Sequence, residues 1–113
     1  MSDARRGDIW LIDLGEPLGH EQGWSRPGLV VSADGWNEHA ATCVVLPLTR
    51  TRHTFPTRVE IEPTRANGLE ETSYARCEDV RSVSEQRLLR RLGVIDIAVE
   101  LAVARTLRTF LEL

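Results

Sequence analysis

The alternation of apolar and polar positions divides the chain into short strands followed by late helices. Asp8 to Leu14 carries Ile9, Trp10, Leu11, Ile12 and Leu14, the apolar and aromatic bulk of a first strand. Gly15 to Ser25 holds Gly15, Pro17, Gly19 and Gly23 and reads as a loop. Pro27 to Ala33, centred on Leu29, Val30 and Val31, is a second strand, and Ala41 to Leu48 is a third. Pro27 cannot donate a ladder bond, which predicts the start of an edge strand. Arg50 to Pro56 is polar and reads as exposed. Thr57 to Glu62 alternates, with Val59 and Ile61 on one face and Arg58, Glu60 and Glu62 on the other. Asn67-Gly68 is a turn signal, and Ser73 to Val83 reads as a last strand.

Helical signals come late. Ser84 as N-cap, Glu85 in a first turn and Gly93 as a stop predict one helix. Asp96 caps a longer helix to about Leu111. Val99, Val103, Leu107 and Phe110 stack on one of its faces, and Arg105, Arg108, Thr109 and Glu112 fall opposite. Ile97 and Leu101 lie off the stripe, as peripheral core or as a second contact surface. Strands first and a helix last predict a small, strongly bent antiparallel sheet or barrel carrying helices.

Length changes this picture little: 113 residues make one domain, residues 1–113, and 42% hydrophobic content supports a packed core. At this size burial is modest, and self-association is a common source of stability. The longest apolar runs, such as Cys43 to Leu48, hold about six residues, against the roughly 18 that span a bilayer. Met1 to Arg6 is polar with no apolar stretch behind it, which predicts no secretory signal, no membrane and a cytoplasmic protein. Cys43 and Cys77 are too few for a disulfide framework and read as small buried hydrophobes. His20, His39 and His53 are not at zinc-type spacing, so no metal site is expected.

Charge adds more. A net charge of −3 argues against a protein that coats nucleic acid indiscriminately. All 14 basic residues are arginine, a usage that genome composition explains equally well. Arg50, Arg52 and Arg58, however, fall in an acid-free stretch from Pro47 to Arg58, and an arginine fork matches phosphate geometry. Arg87, Arg90 and Arg91 form a second basic cluster.

Three constellations carry candidate chemistry. Around the first loop, Arg6-Gly7-Asp8-Ile9-Trp10 is followed by His20-Glu21-Gln22 and then Arg26-Pro27. Arg26 sits at a loop-to-strand junction, free to point into a cleft or to pair with Glu21 on the surface. Pro47-Leu48-Thr49-Arg50 ends an apolar strand in a hydroxyl and a guanidinium. Thr49 suits a turn bond to backbone or a bond to a phosphate oxygen. In Arg76-Cys77-Glu78-Asp79-Val80-Arg81-Ser82, strand alternation puts Arg76 and Glu78 on one face, as a surface pair or as an acid/base couple.

Taken in order, these pieces resemble the MazF/PemK (Kid) family, the endoribonuclease toxins of type II toxin–antitoxin systems. The matching features are Arg6-Gly7-Asp8-Ile9-Trp10, Gly19-His20-Glu21-Gln22, Ser25-Arg26-Pro27 running into Leu29-Val30-Val31-Ser32, Leu46-Pro47-Leu48-Thr49, Gly68-Leu69 with Ser73-Tyr74, and the Arg76 to Ser82 segment. They run from about Arg5 to Leu111. The resemblance implies a mainly β protein, an SH3-like barrel of antiparallel strands with a C-terminal helix, acting as a homodimer. It implies metal-independent cleavage of single-stranded RNA, leaving a 2′,3′-cyclic phosphate and a 5′-hydroxyl, with no cofactor. Inhibition by a cognate antitoxin is implied as well, and no DNA partner is expected. Arg26, Thr49 and Glu21 carry over as catalytic positions, and the PemK-like pattern adds His20, Arg76 and Glu78. Glu78 stands where the family often has Asp, and Ser82 where it often has Thr.

Cyclising cleavage needs a base for the 2′-hydroxyl, charge stabilisation at phosphorus and an acid for the leaving oxygen. Arginine keeps its proton throughout the working pH range, which makes Arg26 and Arg76 stabilisers rather than bases. Glu78 or Glu21 is the base by elimination, and Thr49 bonds a non-bridging oxygen. His20, Trp24, Arg50, Arg52, His53 and Arg81 are the RNA-binding candidates, with Trp24, in a glycine-flanked loop, the best placed of the three tryptophans to stack on a base. Two other readings share the fold. CcdB-like toxins bind DNA gyrase without cleaving, through a C-terminal Trp-Gly-Ile, whereas this chain ends Leu111-Glu112-Leu113. The other is a catalytically inactive barrel that binds RNA or protein.

Overall fold

The computed structural model describes residues 3–113, so Met1 and Ser2 of the polar opening segment lie outside the described residues. Antiparallel strands β1 (Asp8–Asp13), β2 (Ser25–Val30), β3 (Thr42–Thr49), β4 (Arg58–Ile61), β5 (Ser73–Arg76), β6 (Arg81–Ser84) and β7 (Leu88–Val94) form one sheet. A single-turn helix α1 (Asp34–Asn37) lies between β2 and β3, and α2 (Ile97–Leu111) follows β7. The order is β4-β5-β3-β2-β1-β7. β3 is the axis. One of its edges pairs with β6 over residues 42–45 and with β5 over residues 48–49, while the other pairs with β2. Two partners along one edge force the sheet to bend around β3. The free ends then meet: the Val94 N–H donates to the Ala66 carbonyl at 2.9 Å, tying the β4–β5 connection to β7. The result is barrel-like.

The central strands are buried on both faces, which is why Leu29-Val30 and Val44 to Leu48 read as continuous apolar runs. Leu29, Leu46 and Leu48 face one cluster with Ile9, Ile61, Ala75 and Cys77, whereas Val30, Cys43 and Val45 face a second with Ile12 and Val83. α2 covers the first cluster through buried Val103 and the partly buried Val99, Ala102 and Leu107. Asp96 caps it, accepting from the Val99 N–H at 2.9 Å. Phe110, expected on the buried stripe, is 43% exposed, and Ile97 and Leu101 are 68% and 61% exposed. No helix among the described residues is long and apolar enough to cross a membrane.

Three sequence expectations are corrected. The helix from Ser84 to Gly93 is a single 3-10 turn at residues 85–87 followed by β7. Ser84 does cap, accepting from the Gln86 N–H at 3.2 Å, but β7 then pairs with β1 through two register shifts. Those irregularities break the strand's period-2 pattern. The single last strand Ser73 to Val83 is two strands, β5 and β6, joined by a 3-10 turn at residues 77–79. Pro27 is not on an edge. It pairs with Leu11 inside the sheet, but the ladder to β3 starts only at Gly28, so its missing N–H falls where β2 and β3 part.

The Asn67-Gly68 turn is present. Buried Asn67 accepts from the Thr64 and Leu69 N–H groups, both at 3.0 Å, and donates to the Glu62 carbonyl at 2.9 Å. Gly68 has φ +70°, and a Cβ there would run into the Leu92 carbonyl. A Cβ on Gly93 would run into the Ala66 carbonyl. Two backbones therefore cross in contact at this point.

Candidate active site

The turn after β5 builds the site. β5 ends at Arg76, and the 3-10 turn lifts Glu78 beside it rather than two strand positions along. α2 packs on β4 and on this turn, holding it from behind. Register places Arg58 of β4 directly opposite Arg76 of β5. Two like charges in that position repel, and Glu78 lies between them. Its Oε2 accepts from Arg58 Nε and Nη2, both at 2.8 Å, and more distantly from Arg76 Nε at 3.5 Å. Its Oε1 accepts from the Thr57 hydroxyl at 3.0 Å. Burial pushes the Glu78 carboxyl up. The Arg58 hydrogen bonds, its own backbone N–H, the Thr57 hydroxyl and the Arg58 charge outweigh that and hold it below the usual carboxylate range. It is a locked, ionised acceptor and a weak base.

Arg76 also reaches across to the first loop. Nη1 donates to Gln22 Oε1 at 2.6 Å and Nη2 to the His20 carbonyl at 3.0 Å. Arg81 Nη2 holds the same loop by donating to the Gln22 carbonyl, and it pairs with Asp79 at 3.2 Å. Asp79 in turn accepts from the Gln22 N–H at 3.1 Å. Arg81 thus fastens the loop rather than facing an open surface. A cavity of about 530 Å³ results, lined by His20, Gln22, Thr49, Thr51, His53, Phe55, Arg58, Arg76 and Glu78. His53 stacks on Phe55, with ring centroids 5.2 Å apart and planes 5° from parallel, and the Arg58 guanidinium lies 5.4 Å from the Phe55 centroid.

A second cavity of about 500 Å³ lies where β2 and β3 part, and Arg26, Thr49, Arg50 and Arg90 are among its lining residues. Thr49 is a wall of both cavities. Arg26 has no acidic partner among the described residues; its Nε donates to the Gly23 carbonyl at 3.4 Å. The expected Glu21–Arg26 pair is not formed, because Glu21 caps its own loop through the Leu18 N–H at 3.0 Å. Arg50 is committed to Glu71 at 2.6 Å.

The structure therefore brings His20, Thr49, His53, Arg76 and Glu78 to one cavity and Arg26, Thr49 and Arg50 to the other. Glu21, Trp24 and Arg52 line neither. Trp24 is 59% exposed with φ +62°, an uncommon conformation for a bulky residue. Sequence reasoning missed Gln22 and misplaced Arg58. Strand alternation put Arg58 on the face opposite Val59 and Ile61, with Glu60 and Glu62, yet its side chain is 6% exposed. The available signal was its position in the acid-free arginine stretch. Burial and the Glu78 charge push the Cys77 thiol up to about 12, and Cys43 is raised by burial and then by Glu85. No group of three His, Cys, Asp or Glu side chains among the described residues is arranged to hold a metal ion.

The opening motif is architectural. Buried Asp8 accepts from the Arg5 N–H at 2.9 Å and the Trp10 ring N–H at 3.2 Å, and pairs with Arg91 at 3.2 Å.

Comparison with known proteins identifies relatives of the whole chain. The chain is 35% identical over 95 residues to the endoribonuclease EndoA of Bacillus subtilis, covering 82% of this chain and 81% of that protein. It is 33% identical over 115 residues to the endoribonuclease MazF9 of Mycobacterium tuberculosis, covering 96% and 97%. It superposes with a TM-score of 0.82 and 30% identity on a mycobacterial endoribonuclease solved in complex with its cognate antitoxin, over 97% of this chain and 96% of that one. Residues 5–111 match the family described as the PemK-like, MazF-like toxin of type II toxin-antitoxin system, and the chain belongs to that family.

Proposed function

We propose that this chain is an endoribonuclease toxin that cleaves single-stranded RNA by 2′-hydroxyl attack, without a metal, leaving a 2′,3′-cyclic phosphate and a 5′-hydroxyl. The observation that carries the reading is Thr49, a hydroxyl on the wall between two cavities, with Arg76 lining one and Arg26 the other. A phosphodiester laid across that wall meets a hydroxyl donor and a guanidinium on each side, the set needed to stabilise a phosphorane. The attacking oxygen belongs to the RNA, so no protein nucleophile is required. Glu78 is saturated with donors and lines the cavity as an electrostatic partner of the arginines. His20, on the rim of that cavity, accepts the 2′-hydroxyl proton as the 2′-oxygen bonds phosphorus and returns a proton to the 5′-oxygen as the P–O5′ bond breaks. The parallel His53–Phe55 pair offers a stacking surface to a base next to the cut.

The same cavities serve inhibition. An acidic, disordered antitoxin segment presents carboxylates to the forks that receive phosphates, and a disordered chain can wrap a large surface. The exposed Ile97 and Leu101 on α2 support a homodimer, which light scattering at micromolar concentration tests by mass. The activity test is incubation of short single-stranded RNAs with and without EDTA, followed by analysis of the ends. Cleavage that survives EDTA and yields 5′-hydroxyl ends is expected. Loss of cleavage in EDTA, or 5′-phosphate ends, refutes the mechanism.

A further inference from the structure

We propose that Arg58 is a positioning residue of the cleavage site: by taking Glu78 as its own partner, it keeps the outer edge of the Arg76 guanidinium available to phosphate. The inference rests on the endoribonuclease reading and goes beyond it, because Arg58 contacts no reacting group in that scheme.

Arg58 and Arg76 compete for one oxygen, Glu78 Oε2. Arg58 wins it with two bonds at 2.8 Å, while Arg76 stands off at 3.5 Å through Nε alone. The hydrogen bonds of Arg76 Nη1 and Nη2 consequently go to neutral acceptors, Gln22 Oε1 and the His20 carbonyl, while the Asp79 carboxylate, itself bonded to Arg81 and the Gln22 N–H, stands 3.8 Å from Nη1. An incoming phosphate carries a full charge and displaces a neutral acceptor. It cannot so easily displace a carboxylate, because hydrogen bonds between charged groups are about twice as strong. Without Arg58, Glu78 would turn its oxygens to Arg76, and a fork–fork pair would close the phosphate site from within.

The charged groups facing Glu78 are few: Arg58 from β4, Arg76 from β5, and Asp79 beside it, itself held by Arg81. His20 and His53 line the same cavity. Arg58 is the closest cation, so its removal leaves Arg76 as the next guanidinium for Glu78 to turn to.

A double-mutant cycle with Arg58→Met and Glu78→Gln tests this in the full-length protein. Arg58→Met is expected to raise KM for a short single-stranded RNA by about tenfold, the difference between displacing a neutral and a charged acceptor. Arg58→Lys, which keeps a cation, restores most of that loss. Adding Glu78→Gln to Arg58→Met removes the competing carboxylate, so the double variant binds RNA better than Arg58→Met alone. A structural role for Arg58 predicts the reverse, since the double variant would then be the weaker binder, and that result overturns the proposal. NMR of the Arg76 guanidinium gives a second readout that needs no RNA: its N–H signals should shift in Arg58→Met as Glu78 turns to it and return toward wild type in the double variant, and unmoved signals also refute the proposal. Should the Met variant not fold, Arg58→Gln enters the same cycle with the same expectations. A wild-type protein that cuts no RNA sinks the endoribonuclease reading, while the Arg76 signals still decide whether Arg58 keeps Glu78 from Arg76.

Discussion

Arg26 and Arg76 are both read as phosphate-stabilising arginines, yet the structure predicts that removing them has unequal effects on the fold. Arg76 is 12% exposed and makes two well-formed bonds, at 2.6 Å to Gln22 Oε1 and 3.0 Å to the His20 carbonyl. Truncation to Ala forfeits both, at about 1 kcal/mol each for part-buried bonds to neutral acceptors. Glu78 adds little to the loss, because Arg58 still neutralises it at 2.8 Å. The total is about 2 kcal/mol, which for a domain of this length lowers Tm by roughly 8–10 °C. Arg26 is exposed and has a single long bond to the Gly23 carbonyl, 3.4 Å, so its removal should stay within about 0.5 kcal/mol of wild type. Both variants should lose at least about 100-fold in cleavage rate, the magnitude typical of a lost charge-stabilising donor. Thermal unfolding by circular dichroism and a fluorogenic single-stranded RNA substrate measure the two quantities. If Arg26→Ala lowers Tm as far as Arg76→Ala, the assignment of Arg26 as structurally uncommitted is wrong. If either variant cleaves at the wild-type rate, its place in the mechanism is refuted.

Three further outcomes are expected. Thr49→Val should lower the cleavage rate by at least about tenfold through one lost donor, with Thr49→Ser recovering most of it; equal rates for all three proteins would remove the hydroxyl from the mechanism. Glu78 has a lowered pKa in the folded state, so its stabilising contribution is fully present above the ordinary glutamate value of 4.5 and is lost as pH falls through the lowered value. Urea unfolding across acid pH should show a flatter curve for Glu78→Gln, and identical slopes would contradict the linkage. Cys43 and Cys77 are buried with raised pKa values, so a thiol reagent should label neither in the native protein and both after unfolding.

The first three strands were legible because most of their apolar residues are buried, Ile9, Ile12, Leu29, Val30, Val45, Leu46 and Leu48 among them. β7 was not. Leu88-Leu89-Arg90-Arg91-Leu92 has two exposed arginines in sequence, and the register shifts against β1 scramble the alternation that would have marked a strand. A helix fitted the caps at Ser84 and Gly93 equally well, since capping residues specify one turn and not the length that follows. At the site, Arg76 and Glu78 were found as neighbours, but their geometry comes from a 3-10 turn that no periodicity announces. Arg58 escaped because its burial depends on Glu78, twenty positions away, and a charge pattern along one strand carries no information about its partner. Glu21 shows the converse. A glycine-rich loop fixes which residues belong to it, but not which of them turn inward, and here Gln22 does so while Glu21 bonds its own loop.

The crossing of backbones at Gly68 and Gly93 bears on how such a protein changes its target. Leu69, Glu70, Glu71, Arg90, Arg91 and Leu92 flank the crossing and line the second cavity. The exposed ones, Glu70, Glu71 and Arg90, can be exchanged while the main chain beneath them stays pinned by two positions that admit no Cβ. Divergence in the preferred RNA sequence is therefore free to proceed by rewriting the cavity's lining one side chain at a time. Each step keeps the wall at Thr49, proposed as catalytic, in place, because nothing in the exchange reaches the joint. Saturation mutagenesis of residues 66–72 and 90–94, scored for folding and for cleavage-site preference separately, should return Gly68, Gly93 and buried Asn67 as intolerant, with exposed Glu70, Glu71 and Arg90 altering preference without loss of fold.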